Sequence, residues 1–379
     1  MQNTTNKLSG GFVSFLNKID LSLLSAALAL LACGVWFICS ASGIWPGWHY
    51  GDRMFYVKHQ LVNASVGLAL MLAAAYYGRS VIVALRRRRV LWGMLAGAWA
   101  LLFAVLFMPT TYGLHISIPA GFFKFSPAAF GSFVLLLFIA FRLGREAKQF
   151  KSLSTMIVVG ITLDLMILEG NVSLPVVLLL GIIFMYRKAG LRLRYVAALG
   201  AFVGMLFLFD ILRYPYRVER LHQRLFPTSY PDTFGYITMV SRKLLSGAGA
   251  LGGISAAELS EFPGFHTDFA FTGLVAVNGY LAGFAVIVLL GFIVARGMRI
   301  AKTAGSQTEA LLAWGIVCMF AGQSFLHIIK CIGVIGANSA VLPFISYGGS
   351  SLCVDCIMIG VLLCLSAGER AEISGADNK

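Results

Sequence analysis

Long runs of apolar residues alternate with short polar segments along the whole chain, a pattern typical of helices that cross a membrane. A helix needs roughly 17–25 apolar residues to span the hydrocarbon core of a bilayer. The pattern therefore predicts an all-α polytopic membrane protein with about ten transmembrane helices. The predicted spans are residues 21–43, 60–77, 90–108, 127–142, 153–169, 172–186, 195–212, 269–295, 309–330 and 348–367.

The longest polar stretch of the chain, residues 213–268, lies between the seventh and eighth predicted spans. We predict that it forms one large loop outside the bilayer. Residues 21–368 are then a single transmembrane domain, flanked by two short polar tails, residues 1–20 and 369–379.

Composition supports the membrane assignment. Hydrophobic residues make up 59% of the chain, charged residues only 12%, and the mean hydropathy is +0.83. Since a soluble domain is about one-quarter charged, a water-soluble protein is excluded. The net charge of +14 would suggest nucleic acid in a soluble protein. We expect no such partner here, because most of the basic residues fall in short loops beside the membrane.

The distribution of Lys and Arg also predicts the orientation. Cytoplasmic loops of membrane proteins carry an excess of these residues. Most of them lie on the side of the two termini, as in Arg86–Arg89 and Arg296–Lys302. We therefore predict that both termini are cytoplasmic and that the large loop faces outward, away from ATP. A reaction in this loop needs a substrate that carries its own activation.

Asp268 is the leading candidate for chemistry, because it follows His266 and Thr267 at the point where the eighth span begins. At a membrane–water boundary a carboxyl group can be partly desolvated, which raises its pKa toward a value useful for a general base. The same position also suits a helix N-cap formed by Thr267 or Asp268. The sequence leaves both interpretations open.

Four arginines open the large loop with spacings of four, three and four residues. On a helix this spacing places all four on one face. Guanidinium groups suit phosphate or diphosphate, so we predict a substrate contact here, with lipid head groups as the alternative. The four residues are Arg213, Arg217, Arg220 and Arg224.

Other polar features lie within or beside the spans. Asp164, Asp210, Lys330 and Asp355 are ionisable, and such residues inside a membrane are functional candidates by default. Lys330 and Asp355 could pair across helices. The stretch 342–351, LPFISYGGSS, predicts a broken or re-entrant turn before the last span. A glycine-rich stretch, residues 247–253, predicts close backbone packing or a hinge.

Two of these stretches are distinctive enough to be compared with the signatures of a protein family. His266-Thr267-Asp268-Phe269-x-Phe271 and Leu342–Ser351 resemble signatures of the SEDS family, the RodA/FtsW/SpoVE-type peptidoglycan glycosyltransferases. Weaker matches, such as Arg220-Leu221-x-x-Arg224 and Phe55–Leu61, occur in the same order along the chain. The resemblance covers essentially the whole chain and is closest to the FtsW branch.

The resemblance implies an enzyme that polymerises lipid II into glycan strands on the outer face of the bacterial cytoplasmic membrane, during cell division or shape maintenance. It implies a catalytic Asp268, a divalent cation (Mg²⁺ or Mn²⁺), and contact with membrane lipids. It further implies a partner, a class B penicillin-binding protein of the division or elongation complex. The expected substrate-binding residues are Arg213, Arg217, Arg220, Arg224, His266, Thr267, Ser346, Tyr347 and Ser350.

The chain also departs from the family pattern. Where the family has Gly-Glu-Glu-x-Gly after the aspartate, this chain has Val275–Gly279 and lacks both acids. Two alternatives therefore stay open. One is a division scaffold with weakened activity, and the other is a flippase or transporter of lipid-linked precursors.

Overall fold

The fold is a helical bundle, seen in a computed structural model of the chain. The structure describes residues 19–41, 47, 51–108, 118–120, 123–144, 149–170, 172–213, 218–219, 222–223, 226, 229, 234–262, 264–336 and 338–376.

Ten of the described helices are long, and two short ones lie in the segment between α7 and α10. The helices are α1 Leu21–Ala41, α2 Phe55–Leu85, α3 Arg88–Val105, α4 Pro127–Leu143, α5 Gln149–Leu168, α6 Ser173–Lys188, α7 Leu193–Arg213, α8 Phe234–Gly247, α9 Ala256–Ser260, α10 Ala270–Thr303, α11 Gln307–Cys331 and α12 Gly349–Ala376. Two strands, β1 Ile118–Ala120 and β2 Phe123–Phe125, pair antiparallel with Ile118 opposite Phe125.

Each predicted span coincides with one of the long helices. Six of these, within the described residues, are long and apolar enough to cross a membrane: α1, α2, α3, α10, α11 and residues 349–367 of α12. The predicted helical membrane architecture is therefore confirmed. The prediction missed the hairpin of β1 and β2, because strands of three residues are too short to show a repeating alternation of apolar and polar positions.

Helices α1 and α10 run in opposite directions, because the end of α1 contacts the first part of α10 and the start of α1 contacts its last part. We call the end at which α10 begins the Asp268 end. Ser40, near the end of α1, donates a hydrogen bond of 3.0 Å to Oδ1 of Asn278 in α10. At the opposite end, Arg296 of α10 pairs with Asp20, which precedes α1, and Arg79 of α2 lies 3.6 Å from Glu309 of α11. These contacts connect α1 to α10 and α2 to α11.

Helix α10 is broken at Gly279, whose φ is +87°. The glycine-rich loop after α8 fills the break with backbone hydrogen bonds: the N–H groups of Tyr280 and Leu281 donate to the carbonyls of Gly249 and Ala250, each at 3.1 Å. A Cβ atom on Gly279 would lie 2.3 Å from the Ala250 oxygen. The predicted close backbone packing of the loop is confirmed, and its partner is the broken helix.

The break predicts a large cost for a side chain at position 279. We expect Gly279→Ala to lower the free energy of unfolding by about 1–3 kcal/mol, because it combines an unfavourable φ with a backbone clash. Thermal unfolding of the purified protein in detergent measures the change. Gly291→Ala in the same helix is the control: a Cβ there meets nothing within 4 Å, so alanine should stabilise by about 0.5–1 kcal/mol. Equal stability of the two variants would contradict the role of the break.

Candidate functional site

A tight turn before α10 presents Asp268. The N–H groups of Thr267 and Phe269 both donate to the carbonyl of Gly264, at 3.0 and 2.9 Å, and Gly264 has a φ of +74°. The N-cap residue of α10 is Phe269, and no side chain caps this helix. The interpretation of Thr267 or Asp268 as the N-cap of α10 is therefore wrong. The Asp268 carboxylate does not cap the start of this helix.

A second turn, residues 342–347, is hydrogen-bonded to the Asp268 turn. The N–H of Tyr347 donates to the carbonyl of His266 at 2.7 Å. The hydroxyl of Ser346 donates to the carbonyl of Thr267 and accepts from the N–H of Leu342, each at 2.9 Å. Residues 342–346 are buried, so the predicted broken turn is enclosed in protein, as non-helical backbone at membrane depth requires. Two motifs that are far apart in sequence thus hold each other's backbone.

Aromatic rings line one side of the Asp268 turn. The ring of Tyr56, from the first turn of α2, stacks on His266 with a centroid distance of 4.5 Å and an interplanar angle of 30°. The ring of Tyr347 meets both of them edge-on, at 4.8 Å from Tyr56 and 5.8 Å from His266. The three rings form one aromatic cluster on the His266 side of the turn.

The side chain of Asp268 is exposed to solvent, yet protein surrounds it closely. Desolvation by this surrounding protein raises the pKa of the carboxyl group, and the positive charge of Lys330 opposes the increase. Water can reach this carboxyl group, while the neighbouring protein displaces part of its hydration shell. An accessible carboxylate with a raised pKa is suited to accept a proton.

His266 stays neutral at physiological pH, because burial lowers its pKa to about 4. Its imidazole ring is therefore a flat, uncharged group beside Asp268.

Lys330 and His327 of α11 lie behind the Asp268 turn, and both bind backbone groups. Lys330 is fully buried, and its Nζ donates to the carbonyls of Asn338 and Ala340 at 2.9 and 2.7 Å. His327 hydrogen-bonds the Ala340 carbonyl through Nδ1 at 2.8 Å and accepts from the N–H of Phe271 through Nε2 at 3.3 Å. Of these two residues, Lys330 was named from the sequence, but nothing in its spacing placed it next to the Asp268 turn.

The ion pairs of the described residues do not include the expected pair of Lys330 and Asp355. Asp355 of α12 accepts a hydrogen bond from the backbone N–H of Phe344 instead. Phe344 has a φ of +65°, a conformation that an L side chain rarely adopts. Asp355 thus stabilises the turn that carries Ser346.

Of the other predicted site residues, the structure describes only some. Ser350 accepts a hydrogen bond of 2.9 Å from the N–H of Ser126, just ahead of α4. Arg213 is the last residue of α7, but its side chain lies outside the described part, as do the side chain of Asp210 and the whole of Arg217, Arg220 and Arg224. The structure therefore brings together His266, Thr267, Asp268, Ser346 and Tyr347.

The described residues contain no group of three or more His, Cys, Asp or Glu side chains that could hold a metal ion. At the positions of the two missing acids, Ala276 is buried in the core and Val277 packs against it. The donor set at the site is therefore one carboxylate, Asp268. Magnesium can bind to one protein carboxylate when a substrate phosphate and water complete its shell.

Comparisons with known proteins agree with the motifs. Residues 21–371 match the model of the FtsW/RodA/SpoVE family, described as cell cycle protein. A probable peptidoglycan glycosyltransferase FtsW of Geobacter sulfurreducens is 29% identical, with 93% of this chain and 96% of the relative covered. Stage V sporulation protein E of Bacillus subtilis is 28% identical, with 93% and 98% covered.

A solved structure has the same fold. It was reported under the description "Structural coordination of polymerization and crosslinking by a peptidoglycan synthase complex". One of its chains superimposes with a TM-score of 0.76 at 21% identity, with 93% of this chain and 98% of that chain covered.

The low pKa of His266 predicts a loss of stability in acid. In the unfolded chain a histidine binds a proton below about pH 6.5, whereas in the native protein His266 does so only near pH 4. The unfolded state therefore gains protons first, and stability falls as the pH decreases through this window.

We expect a loss of about 1–2 kcal/mol between pH 7 and pH 5, a range discounted for partial exposure. Unfolding in detergent at a series of pH values measures it. His266→Gln should reduce the loss, while His222→Gln, at an exposed histidine, should leave it unchanged. An identical pH dependence in all three proteins would contradict the assignment.

Proposed function

Because the chain belongs to the FtsW/RodA/SpoVE family of cell cycle proteins, we propose that it is a peptidoglycan glycosyltransferase. It polymerises lipid II into glycan strands on the outer face of the bacterial cytoplasmic membrane, during cell division or shape maintenance. The observation that carries this proposal is the Asp268 turn, an exposed carboxylate at one end of a membrane bundle, held by the 342–347 turn and lined by aromatic rings.

Asp268 acts as the general base in this mechanism. It takes the proton from the 4-hydroxyl of the acceptor sugar. The hydroxyl oxygen forms a bond to the anomeric carbon of the growing strand, and the bond from that carbon to the lipid diphosphate breaks. The configuration inverts, the diphosphate leaves with the electron pair, and the energy comes from the substrate itself. General base catalysis of this kind contributes typically 10²–10⁴-fold.

The leaving diphosphate needs positive charge. Arg213, Arg217, Arg220 and Arg224 follow one another at the start of the predicted loop, and guanidinium groups bind phosphate oxygens in a bidentate manner. Asp268 is the residue that would hold a Mg²⁺ or Mn²⁺ ion at this site. When bound, the ion supplies charge neutralisation of the phosphate oxygens.

We further propose that all ten long helices cross the membrane and that the Asp268 end faces outward. Support comes from the charges at the opposite end. There Arg86–Arg89 join α2 to α3, Lys188 ends α6, and Arg296–Lys302 lie in the last turns of α10. Basic residues favour the cytoplasmic side. Both chain termini are then cytoplasmic, and residues 21–368 form a single membrane domain.

The proposed partner is a class B penicillin-binding protein that crosslinks the new strands within a division or elongation complex. The description of the structural neighbour, a peptidoglycan synthase complex that coordinates polymerization and crosslinking, supports this assignment. Membrane lipids cover the exposed apolar faces, such as Phe284 and Phe325.

Two other functions make different predictions. A transporter of lipid-linked precursors needs polar groups along a path through the bundle, whereas Lys330 and Asp355 are both bound to backbone groups near the Asp268 end. A scaffold without activity is suggested by the apolar Ala276 and Val277 at the positions of the missing acids. It would tolerate the loss of the Asp268 carboxylate.

Replacing Asp268 tests the enzyme directly. We expect Asp268→Asn to lower the initial rate of lipid II polymerisation at least 100-fold, because the amide cannot accept the proton. The measurement is glycan strand formation from labelled lipid II by the purified protein together with a class B penicillin-binding protein.

Glu261→Gln, at an exposed carboxylate after α9, is the matched control and should keep the wild-type rate. Wild-type polymerisation by Asp268→Asn would exclude the mechanism. A wild-type protein that forms no strands, while Asp268→Asn still supports septum assembly in cells, would favour the scaffold.

A further inference from the structure

Arg142, in the last turn of α4, is a charged group for which the mechanism above has no role. Its side chain is half-buried, and its Nη2 donates to the hydroxyl of Ser154 in α5 at 2.9 Å. Its Nε is buried and has no hydrogen-bond partner among the described residues. A buried donor that lacks an acceptor is costly. This N–H group is therefore suited to an acceptor that the described chain does not supply.

The side chains around Arg142 do not balance its charge. The charge acts on the guanidinium of Arg88, the first residue of α3, and on the hydroxyl of Tyr186 in α6. Tyr186 is fully buried, and its hydroxyl also lacks a hydrogen-bond partner within the part of the chain that the structure describes. The ion pairs of that part include neither Arg88 nor Arg142. An anion here would reduce the repulsion between the two arginines and accept a hydrogen bond from Nε of Arg142.

A cavity of about 370 Å³ opens beside these arginines, between the ends of α2 and α4 and the start of α11. Helices α4 and α11 touch there, because a Cβ atom on Gly144, two residues after Arg142, would collide with Thr308. Glu309, the acid in the cavity wall, lies 3.6 Å from Arg79, so its charge is already paired. The cavity thus offers guanidinium and hydroxyl donors to an anion. Its lining residues are Ile82, Arg86, Phe141, Ser306, Thr308 and Glu309.

The cavity lies next to an exposed apolar surface. Val81 and Val83 of α2, about one turn before Arg86, are 50% and 60% exposed. A soluble anion gains nothing from such neighbours, whereas a lipid can lay its acyl chains against them and place its phosphate at the arginines. The planar guanidinium group binds phosphate in a bidentate manner. Basic pockets between transmembrane helices are typical sites for anionic lipid head groups.

We propose that Arg86, Arg88 and Arg142, which we call the arginine cluster, bind the phosphate of an anionic lipid head group at the end of the bundle opposite Asp268. Arg142 donates from its buried Nε, and Arg86 and Arg88 approach from the turn between α2 and α3. The bound lipid then connects α2, α3 and α4 at this end. The site is separate from the Asp268 turn, and the proposal does not depend on the proposed function.

Lipid retention by the full-length protein tests the site. The protein is purified in detergent, incubated with phosphatidylglycerol or with phosphatidylcholine, and analysed by native mass spectrometry, which counts the lipids that stay bound. The variants are Arg142→Gln, which keeps hydrogen-bond donors without the charge, and Arg88→Gln, at an exposed position. Arg299→Gln, at an exposed arginine of the same end, is the matched control.

We expect the wild type to retain phosphatidylglycerol in preference to phosphatidylcholine. Arg142→Gln and Arg88→Gln should each weaken this retention about tenfold, the effect of losing one hydrogen bond to a charged group. Arg299→Gln should retain as much as the wild type. Phosphatidylglycerol should also raise the unfolding temperature of the wild type more than that of the two cluster variants. If Arg142→Gln does not fold, Arg88→Gln decides.

Equal retention of the two lipids by the wild type, or the same preference in all three variants, would overturn the proposal. Inorganic phosphate, added as a competitor, separates a lipid from a soluble anion, and we expect it to leave most of the phosphatidylglycerol bound. If phosphate binds in a manner that depends on Arg142 while phosphatidylglycerol is not preferred, the cluster takes a soluble anion and the lipid assignment is wrong. Failure of the wild type to polymerise lipid II would count against the proposed function alone, since lipid retention does not require activity.

Discussion

The site depends on two hydrogen bonds between its two turns. The Tyr347 N–H donates to the His266 carbonyl, and the Ser346 hydroxyl donates to the Thr267 carbonyl. Both segments precede long helices, α10 and α12, at one end of the bundle. Backbone groups within a membrane need partners within the protein, because lipid offers none. The 342–347 turn supplies such partners to two carbonyls of the Asp268 turn. The position of Asp268 therefore follows from residues nearly 80 positions further along the chain.

The same requirement explains several of the polar residues inside the bundle. Asp355 accepts a hydrogen bond from the N–H of Phe344, a residue whose φ is in the left-handed region. His327 and Lys330 both hydrogen-bond to the carbonyl of Ala340. The break in α10 is filled by the backbone of the glycine-rich loop. Ionisable groups in a membrane are good markers of function, yet here several act first as partners of irregular backbone. Their functional effect is exerted through the shape and charge of the turns that they hold.

The sequence was sufficient for the helices and for the location of Asp268, since apolar length and a lone acid at the start of a span are local signals. It could not decide between a base and a helix cap, because both place a carboxylate at the same position. The structure decides through Phe269, which occupies the N-cap. The contact of Lys330 with the Asp268 turn depends on how α11 packs against α10, and no local pattern encodes it. The stacking of Tyr56 on His266 is likewise not encoded by a local pattern, although the aromatic residue at the start of α2 was a signal that could have been used.

The loss of two acids in α10 fits this electrostatic arrangement. Ala276 and Val277 lie about two helical turns from Asp268, roughly 12 Å along the axis. A carboxylate at that distance would repel the charge on Asp268 by on the order of 1 kcal/mol at an effective dielectric constant of 20. That repulsion would raise the pKa of Asp268, in the same direction as desolvation. With apolar residues at both positions, one ammonium group, Lys330, is set against one carboxylate. The apolar residues at these two positions, which leave the site without a second metal-binding acid, thus also remove like charge from its proposed base.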